Sequence, residues 1–278
     1  CDPCGGSATY YETITVFNST EKRTISTTGC PNHYSYCTGK AGQEECGGIG
    51  NEGSASQARE QGVITEIPAR PIFSESTTDT TCVLGNLGVA LNGVGVYGGA
   101  VDSSCDLVDV DDSRSEWTSF DMCSGHSGGD SYHYHFPPSC LLTQAALTLP
   151  YMSGHSPQVG WALDGFPIYG PYGPGGVMMT HSSQGCVGSV CLDECGGLKM
   201  SIPELDEFLY RYYMTGPLSD LESLPTNPKP ASIDYPFVLK CYRGCTWDRI
   251  IAGACANSSL GVSSTYIPRA LSGYSNRF

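Results

Sequence analysis

Three histidines stand close together in the sequence, His126, His133 and His135. Residues two apart on a β-strand point to the same face, so His133 and His135 would project together, about 6 to 7 Å apart at the backbone. His33 or His155 could add a further nitrogen. Three neutral imidazoles with an open position favour copper or zinc over calcium or magnesium. The spacing therefore predicts a candidate transition-metal site.

A hydrogen-bonded network without a metal is the alternative for the same histidines. In that interpretation each imidazole bonds to a carboxylate, such as Asp121 or Asp164, or to a backbone carbonyl. Residues 125–129 match the G-x-S-x-G pattern of hydrolases, but an alternating strand follows where that pattern needs a helix. We therefore predict no catalytic residues. A calcium site in the acidic run 102–116 is a weaker alternative, because the run lacks the EF-hand pattern.

The elements that must position these side chains are mostly strands. Alternation with a period of two predicts one hairpin over residues 13–17 and 23–26, and another over residues 89–91 and 94–97. Residues 201–209 are the one candidate helix. The predicted fold is mainly β, a single disulfide-stapled domain resembling a sandwich or barrel, with long loops, an N-terminal strand segment and a C-terminal tail.

Composition restricts the partners and the compartment of the chain. The 278 residues carry a net charge of −14, which repels nucleic acid and anionic lipid surfaces. The longest uncharged stretch, residues 82–101, is rich in glycine and predicts two strands rather than a membrane span. Fifteen cysteines predict a secreted, disulfide-rich protein. Their odd number leaves one cysteine free or paired with another chain, and Cys1 and Cys4 are the candidates.

The segment Tyr132-His133-Tyr134-His135, preceded by Asp121-x-Cys123-x-Gly125-His126, resembles the signature of the YHYH-domain proteins. Residues 29–33, 88–94 and 155–171 are similar to other blocks of that family. The resemblance implies a YHYH-like domain over residues 24–245, between an N-terminal segment, 1–23, and a C-terminal tail, 246–278. It also implies a mostly secreted or surface-exposed protein of poorly defined activity, and a set of motif residues: Asp121, Cys123, Tyr132, Tyr134, Cys140 and Asp164.

A second block of the family pattern has changed in this chain. Asp193-x-Cys195-x-Gly197 is followed by residues 210–213, where Arg211 and Tyr213 stand at the two histidine positions. The tyrosines and cysteines thus remain while the histidines are gone. This departure favours a structural use of the fold.

The main functional prediction is an extracellular structural or assembly protein, a filament-forming glycoprotein subunit that associates with copies of itself. Association would use strand addition by residues 10–17 or an interchain disulfide, and N-linked glycans are predicted at Asn18 and Asn257. The alternative is a secreted copper- or zinc-binding protein, or a redox enzyme, that uses the three histidines. A carbohydrate-binding module, based on 17 tyrosines and 3 tryptophans, ranks last.

Overall fold

The computed structural model describes residues 8–33, 58–100, 123–128, 130–148, 154–181, 186, 190–202, 205, 207–215, 238–255 and 258–271. The strands and helices of these residues, in chain order, are β1 (Tyr10–Phe17), β2 (Thr20–Thr27), β3 (Val63–Pro68), β4 (Ile72–Asp79), β5 (Asn86–Ala90), β6 (Gly95–Tyr97), β7 (Gly125–Gly128), β8 (Ser131–Tyr134), α1 (Ser139–Thr148), β9 (Gln158–Ala162), β10 (Pro167–Tyr169), β11 (Gly197–Lys199), β12 (Tyr210–Tyr213), β13 (Cys241–Gly244), α2 (Trp247–Ile251) and β14 (Ser258–Leu260).

The chain is mainly β, as predicted, and the strands of the described residues form three sheets. The sheet orders are β1-β2-β3, β11-β12-β10-β9-β5-β6-β8-β7 and β13-β4-β14. None of the sheets in the described part of the chain closes on itself, so the barrel form of the prediction is wrong. One apolar core joins all three sheets through residues such as Ile25, Phe73 and Trp161.

The predicted N-terminal hairpin is confirmed. Strands β1 and β2 pair over eight residues, from Tyr10 opposite Thr27 to Phe17 opposite Thr20. Asn18 and Ser19 both have positive φ, 46° and 64°, as a two-residue turn of the primed type requires. The segment that was predicted to add to a neighbouring copy therefore pairs within its own chain, at the edge of its sheet.

The eight-stranded sheet is built from two similar halves, which extend the correspondence of the two sequence blocks to a repeated hairpin. Residues 88–98 (GVALNGVGVYG) and 160–170 (GWALDGFPIYG) form equivalent hairpins, β5-β6 and β9-β10. The halves meet at β5 and β9, where Val89 faces Trp161 and the pairs on either side are Gly88 with Ala162 and Ala90 with Gly160. This register is symmetric about the Val89–Trp161 pair. It relates β8 to β12 and β7 to β11 by an approximate two-fold axis.

The third sheet joins β4 to two strands from the C-terminal part of the chain, β13 and β14. Strand β4 lies between β13 and β14, and Phe73 of β4 pairs with both Gly244 and Ser259. Beyond β14, Val262 and Tyr266 are buried in the main core. Residues 258–271 thus pack against the rest of the fold, while the domain boundaries themselves stay predictions.

The predicted helix over residues 201–209 is wrong. Among its described residues, Leu205 has 3₁₀-type hydrogen bonding, with its N–H donating to the Ile202 carbonyl at 2.7 Å. Phe208 instead forms an antiparallel bridge to Val262 and packs its ring on Trp161. Core packing of Phe208 therefore overrides the local helical pattern. The acidic run 102–116 and its calcium alternative lie outside the described residues.

Disulfides connect several of these elements. Four are Cys123–Cys140, Cys186–Cys191, Cys195–Cys241 and Cys245–Cys255. Cys30 and Cys82 are disulfide-bonded as well. The prediction of a disulfide-rich chain is thereby confirmed, and such density is typical of oxidising compartments. Cys1 and Cys4 lie outside the described residues. Within the described part, neither helix has the length and apolar character needed to cross a membrane.

Candidate metal centre

The β7-β8 hairpin brings the three predicted histidines together. His126 on β7 lies directly opposite His133 on β8, and His135 follows β8 on the same face as His133. One ring nitrogen from each imidazole can be chosen so that all three lie within 4.8 Å of one another. The residues are only 4 to 7% exposed. The structure therefore gathers His126, His133 and His135 into one buried cluster, here called the His cluster.

Hydrogen bonds orient two of the imidazoles and set their tautomers. Nδ1 of His133 lies 3.1 Å from the Ser131 carbonyl, and Nδ1 of His135 lies 2.6 Å from the Gly98 carbonyl. A carbonyl oxygen only accepts, so each Nδ1 carries the proton and the lone pair of the neutral ring is on Nε2. Histidine ligands of metals commonly donate their second ring N–H to a carbonyl in this way. His133 and His135 thus have the tautomer of Nε2 ligands.

The third imidazole completes the apo arrangement. Nε2 of His126 lies 2.9 Å from Nε2 of His133. Because the His133 nitrogen carries a lone pair, His126 donates its Nε2 proton in the neutral cluster. A metal ion would replace that proton, with His126 changing to its other tautomer. In this change of tautomer the Nε2 proton of His126 moves to its own Nδ1, so metal binding would release no net proton from the cluster.

Burial keeps the cluster neutral. Desolvation lowers the pKa of His133 to about 3 and that of His135 to about 4, with the neighbouring imidazole adding to the shift at His133. Desolvation, with smaller repulsions from His133 and His135, also holds the pKa of His126 well below its usual value. Neutral imidazole is the form that binds metals. At neutral pH, all three side chains are consequently in the ligand form.

The donor set fits a small transition-metal ion. Tetrahedral zinc with Zn–N bonds of about 2.0 to 2.1 Å needs nitrogens about 3.3 Å apart. The His126–His133 separation of 2.9 Å is shorter than that, and all three nitrogens lie within 4.8 Å of one another, so the rings must move to reach this geometry. Tyr97 stacks on the His133 ring with centroids 3.9 Å apart and planes 16° apart. This contact restricts one face of the imidazole.

The other predicted ligands lie elsewhere. His33 contacts the Tyr134 hydroxyl with its Nε2 at 2.7 Å, and His155 contacts the Tyr213 hydroxyl at 2.9 Å. Asp164 accepts from the Tyr212 hydroxyl, at 2.6 Å. These residues therefore do not join the His cluster. The alternative prediction, a hydrogen-bonded network, is met in part, because backbone carbonyls bond to His133 and His135. Its other predicted partner, Asp121, lies outside the described residues.

Gly128 makes room for the His133 ring. A Cβ atom at position 128 would lie 2.8 Å from Cε1 of His133, closer than such atoms approach in proteins. We expect Gly128→Ala to displace this imidazole and to weaken metal binding about 10- to 100-fold, the range for changes that reorient a ligand. Titration with Zn²⁺ in competition with a chromophoric chelator measures the effect. Ser127→Ala, on the same strand, is the control, and equal affinities of the two variants would contradict the steric role.

The remaining motif residues have structural positions. Tyr132 and Tyr134 are buried on the face of β8 opposite the histidines, and Tyr134 also accepts from Asn92 Nδ2 at 2.9 Å. Cys123 and Cys140 form a disulfide across the hairpin. Asn18 is exposed at the tip of the β1-β2 turn, where a glycan is sterically possible. Asn257 lies outside the described residues.

Asp164 is a buried carboxyl group in the turn between β9 and β10. Its Oδ2 accepts from the Tyr212 hydroxyl and from the Gly244 N–H at 2.8 Å, and its Oδ1 accepts from the Phe166 N–H at 3.3 Å. Desolvation nevertheless dominates and raises the pKa of Asp164 to about 6. Asn92, its counterpart in the first half, is neutral and caps the same turn through Val94.

This raised pKa predicts a pH dependence of stability. Between about pH 4 and pH 6 the folded protein binds the Asp164 proton more tightly than the unfolded chain, so the carboxyl group's contribution to the unfolding free energy falls as pH rises. About two pKa units correspond to roughly 2–3 kcal/mol. In Asp164→Asn the unfolding free energy should not fall in this way as pH rises. The variant should instead be less stable by about 1 kcal/mol at every pH, because one hydrogen bond is lost. Urea unfolding of both proteins at pH 4, 5, 6 and 7 measures the two unfolding free energies. A difference between them that stays constant with pH would contradict the prediction.

Three features of the centre escaped the sequence reasoning. These are the Tyr97 ring on His133, the Gly98 carbonyl on His135 and the space left by Gly128. Tyr97 and Gly98 end the first copy of the repeated hairpin, and Tyr169 and Gly170 end the second. The repeat could have drawn attention to Tyr97, whereas a backbone carbonyl carries no signal in the sequence.

Comparison with known proteins supports the resemblance found in the sequence. Residues 64–184 match the family model described as YHYH protein. No curated protein and no solved structure matches the chain. The matched segment contains the His cluster, the Cys123–Cys140 disulfide and both copies of the repeated hairpin. The chain thus contains a match to the YHYH domain over residues 64–184, as the resemblance in its sequence predicts.

Proposed function

We propose that the protein is a secreted metal-binding protein that holds one copper or zinc ion with His126, His133 and His135. The observation that carries this proposal is the convergence of three imidazole nitrogens within 4.8 Å in a buried hairpin. Two of these imidazoles have the Nε2-ligand tautomer, and burial keeps the pKa of all three below neutrality. The net charge of −14 adds a long-range attraction for cations.

The burial of the cluster favours a structural ion over a catalytic one. Catalytic zinc and copper sites leave a coordination position that substrate or water can reach. The three histidines here are 4 to 7% exposed, and Tyr97 packs against one of them. We therefore propose that the ion stabilises the β7-β8 hairpin of an extracellular structural protein. Redox turnover is the competing role, and copper would be required for it.

Metal content and titration test this function. Protein secreted from a eukaryotic host should contain one equivalent of copper or zinc by elemental analysis. After chelation, it should take up one equivalent of Zn²⁺ or Cu²⁺ in calorimetry. Absence of stoichiometric binding of both ions by folded protein would refute the proposal. For copper-loaded protein, oxygen consumption with ascorbate distinguishes redox turnover from a structural ion.

Self-association through the β1 edge is a second proposed role. The edge strand exposes Tyr11, Val16 and Phe17 to 68, 71 and 48%, and it contains neither lysine nor proline to block further pairing. Its single charge, Glu12, has a fully buried side chain. We propose that β1 of a second copy pairs with it in antiparallel orientation. A register centred between Thr13 and Ile14 would place Glu12 opposite Thr15, so no like charges meet.

Particle size measures this association. Wild-type protein should sediment as a dimer or larger species at micromolar concentration, and Val16→Lys on the β1 edge should sediment as a monomer. Val177→Lys is the matched control, because Val177 is a similarly exposed valine at 54% and lies away from β1. A monomeric wild type, or equal effects of both lysines, would refute the β1 interface.

A further inference from the structure

The second half of the large sheet contains a residue set that corresponds to the His cluster. In the first half Gly125 pairs with Tyr134 and His126 with His133; in the second half Gly197 pairs with Tyr212 and Leu198 with Arg211. Tyr213 follows as His135 does, and the parallel neighbours agree, since Val96 pairs with Tyr134 and Ile168 with Tyr212. The residues equivalent to the three histidines are therefore Leu198, Arg211 and Tyr213.

The packing around these two sets is also equivalent. A Cβ atom at Gly125 would lie 2.4 Å from the Tyr132 hydroxyl, and one at Gly197 would lie 2.0 Å from the Tyr210 hydroxyl. Cys123 and Cys195, each two residues before its glycine, both form disulfides. The two hairpins thus hold their tyrosines against the same glycine position.

Arg211 places a positive charge inside the second half. The residue is 0% exposed, although arginine is almost never fully buried without a partner. Its guanidinium donates to the Met200 carbonyl at 3.0 Å and to the Phe208 carbonyl. Among the residues that the structure describes, no carboxylate forms an ion pair with it. Tyr213 also hydrogen bonds to Arg211. Backbone carbonyls and a tyrosine therefore surround a cation at the position that corresponds to His133.

We propose that the second half is a closed copy of the metal centre, in which the Arg211 guanidinium supplies the positive charge that an ion supplies in the first half. This inference rests on the proposed metal binding by the His cluster. Each half then has one buried cation, which is exchangeable in the first half and covalently attached in the second. Leu198 and Tyr213 complete the copy, because leucine has no donor atom and a neutral tyrosine hydroxyl is a weaker metal ligand than imidazole.

Exchanging the two residue sets tests the inference. The variant Leu198→His/Arg211→His/Tyr213→His should bind two equivalents of Zn²⁺ in calorimetry, where the wild type binds one. The reciprocal variant His126→Leu/His133→Arg/His135→Tyr should fold without metal and show no thermal shift with Zn²⁺. Its melting temperature should be close to that of zinc-loaded wild type.

The outcomes separate the inference from the function on which it rests. A wild type that binds no metal would refute the proposed function. A wild type that binds one equivalent, with a folded second-half variant that also binds only one, would overturn the inference alone. If the second-half variant does not fold, the reciprocal variant decides. Metal-free folding at zinc-loaded stability supports equivalence of the halves, and failure to fold or a melting temperature no higher than that of metal-free wild type overturns it.

Discussion

His133→Ala is expected to abolish stoichiometric metal binding, because His133 is the central member of the cluster. It pairs with His126 at 2.9 Å and its ring lies 4.8 Å from that of His135. At a free ion concentration 100-fold above the dissociation constant, a bound ion stabilises a folded protein by about 2.7 kcal/mol. Wild type should gain this stability on addition of Zn²⁺ or Cu²⁺, and the variant should gain none. Thermal unfolding with and without the ion measures the difference.

His181→Ala is the matched control. His181 is also buried, at 5% exposure, but its Nδ1 bonds to the Asp193 carbonyl at 2.9 Å, and it lies outside the His cluster. This variant should lose some metal-free stability and retain the full response to metal. If both variants kept the response, or if both lost it, the assignment of the ligands would be wrong.

Glu12→Ala is expected to cause the largest loss of stability. The Glu12 carboxylate is fully buried and pairs with Arg23, whose side chain is 1% exposed. It also accepts from Trp161 Nε1 and from the Leu271 N–H, both at 2.7 Å. Removing one partner of a buried ion pair leaves an uncompensated charge and costs about 3–5 kcal/mol. Urea unfolding of metal-free protein should show a loss of at least this size.

Glu66→Ala provides the comparison on the same sheet. The Lys22–Glu66 pair is solvent-exposed, so its loss should cost about 1 kcal/mol or less. The Glu12–Arg23 pair also holds the chain near residue 270. Glu12 accepts from the Leu271 N–H, and Arg23 donates to the Arg269 carbonyl at 2.9 Å. Glu12→Ala should therefore accelerate tryptic cleavage after Arg269. Equal losses in the two variants, or unchanged cleavage, would show that Glu12 does not link the first sheet to residues 258–271.

The sequence predicted the local elements better than the long-range ones. Turn residues and alternation identify the β1-β2 and β5-β6 hairpins, since both signals lie within a few residues. The burial of Glu12 could not be predicted in this way. Its partners Trp161 and Leu271 are distant in sequence, and an alternating strand with one glutamate looks like a solvated edge. The helical pattern of residues 201–209 failed for a related reason, because a partner at Val262 determines the conformation of Phe208.

The clustering of the three histidines was predictable from the sequence, but their surroundings were not. Spacing alone selected His126, His133 and His135, because strand periodicity and a short turn determine which side chains meet. It could not exclude His33 or His155, whose positions depend on Tyr134 and Tyr213. The sequence already placed Arg211 and Tyr213 at the two histidine positions of the second block. The correspondence of Leu198 with His126 required the register of both hairpins.

The Cys123–Cys140 disulfide encloses all three histidines in a single covalent ring. With a sequence separation of 17, the ring contains β7, the turn and β8. Closing it restricts the free chain, so under the proposed metal binding we expect the three imidazoles to act as one multidentate chelator rather than as three separate ligands. We therefore expect oxidation of Cys123 and Cys140 to precede metal loading during maturation of the protein.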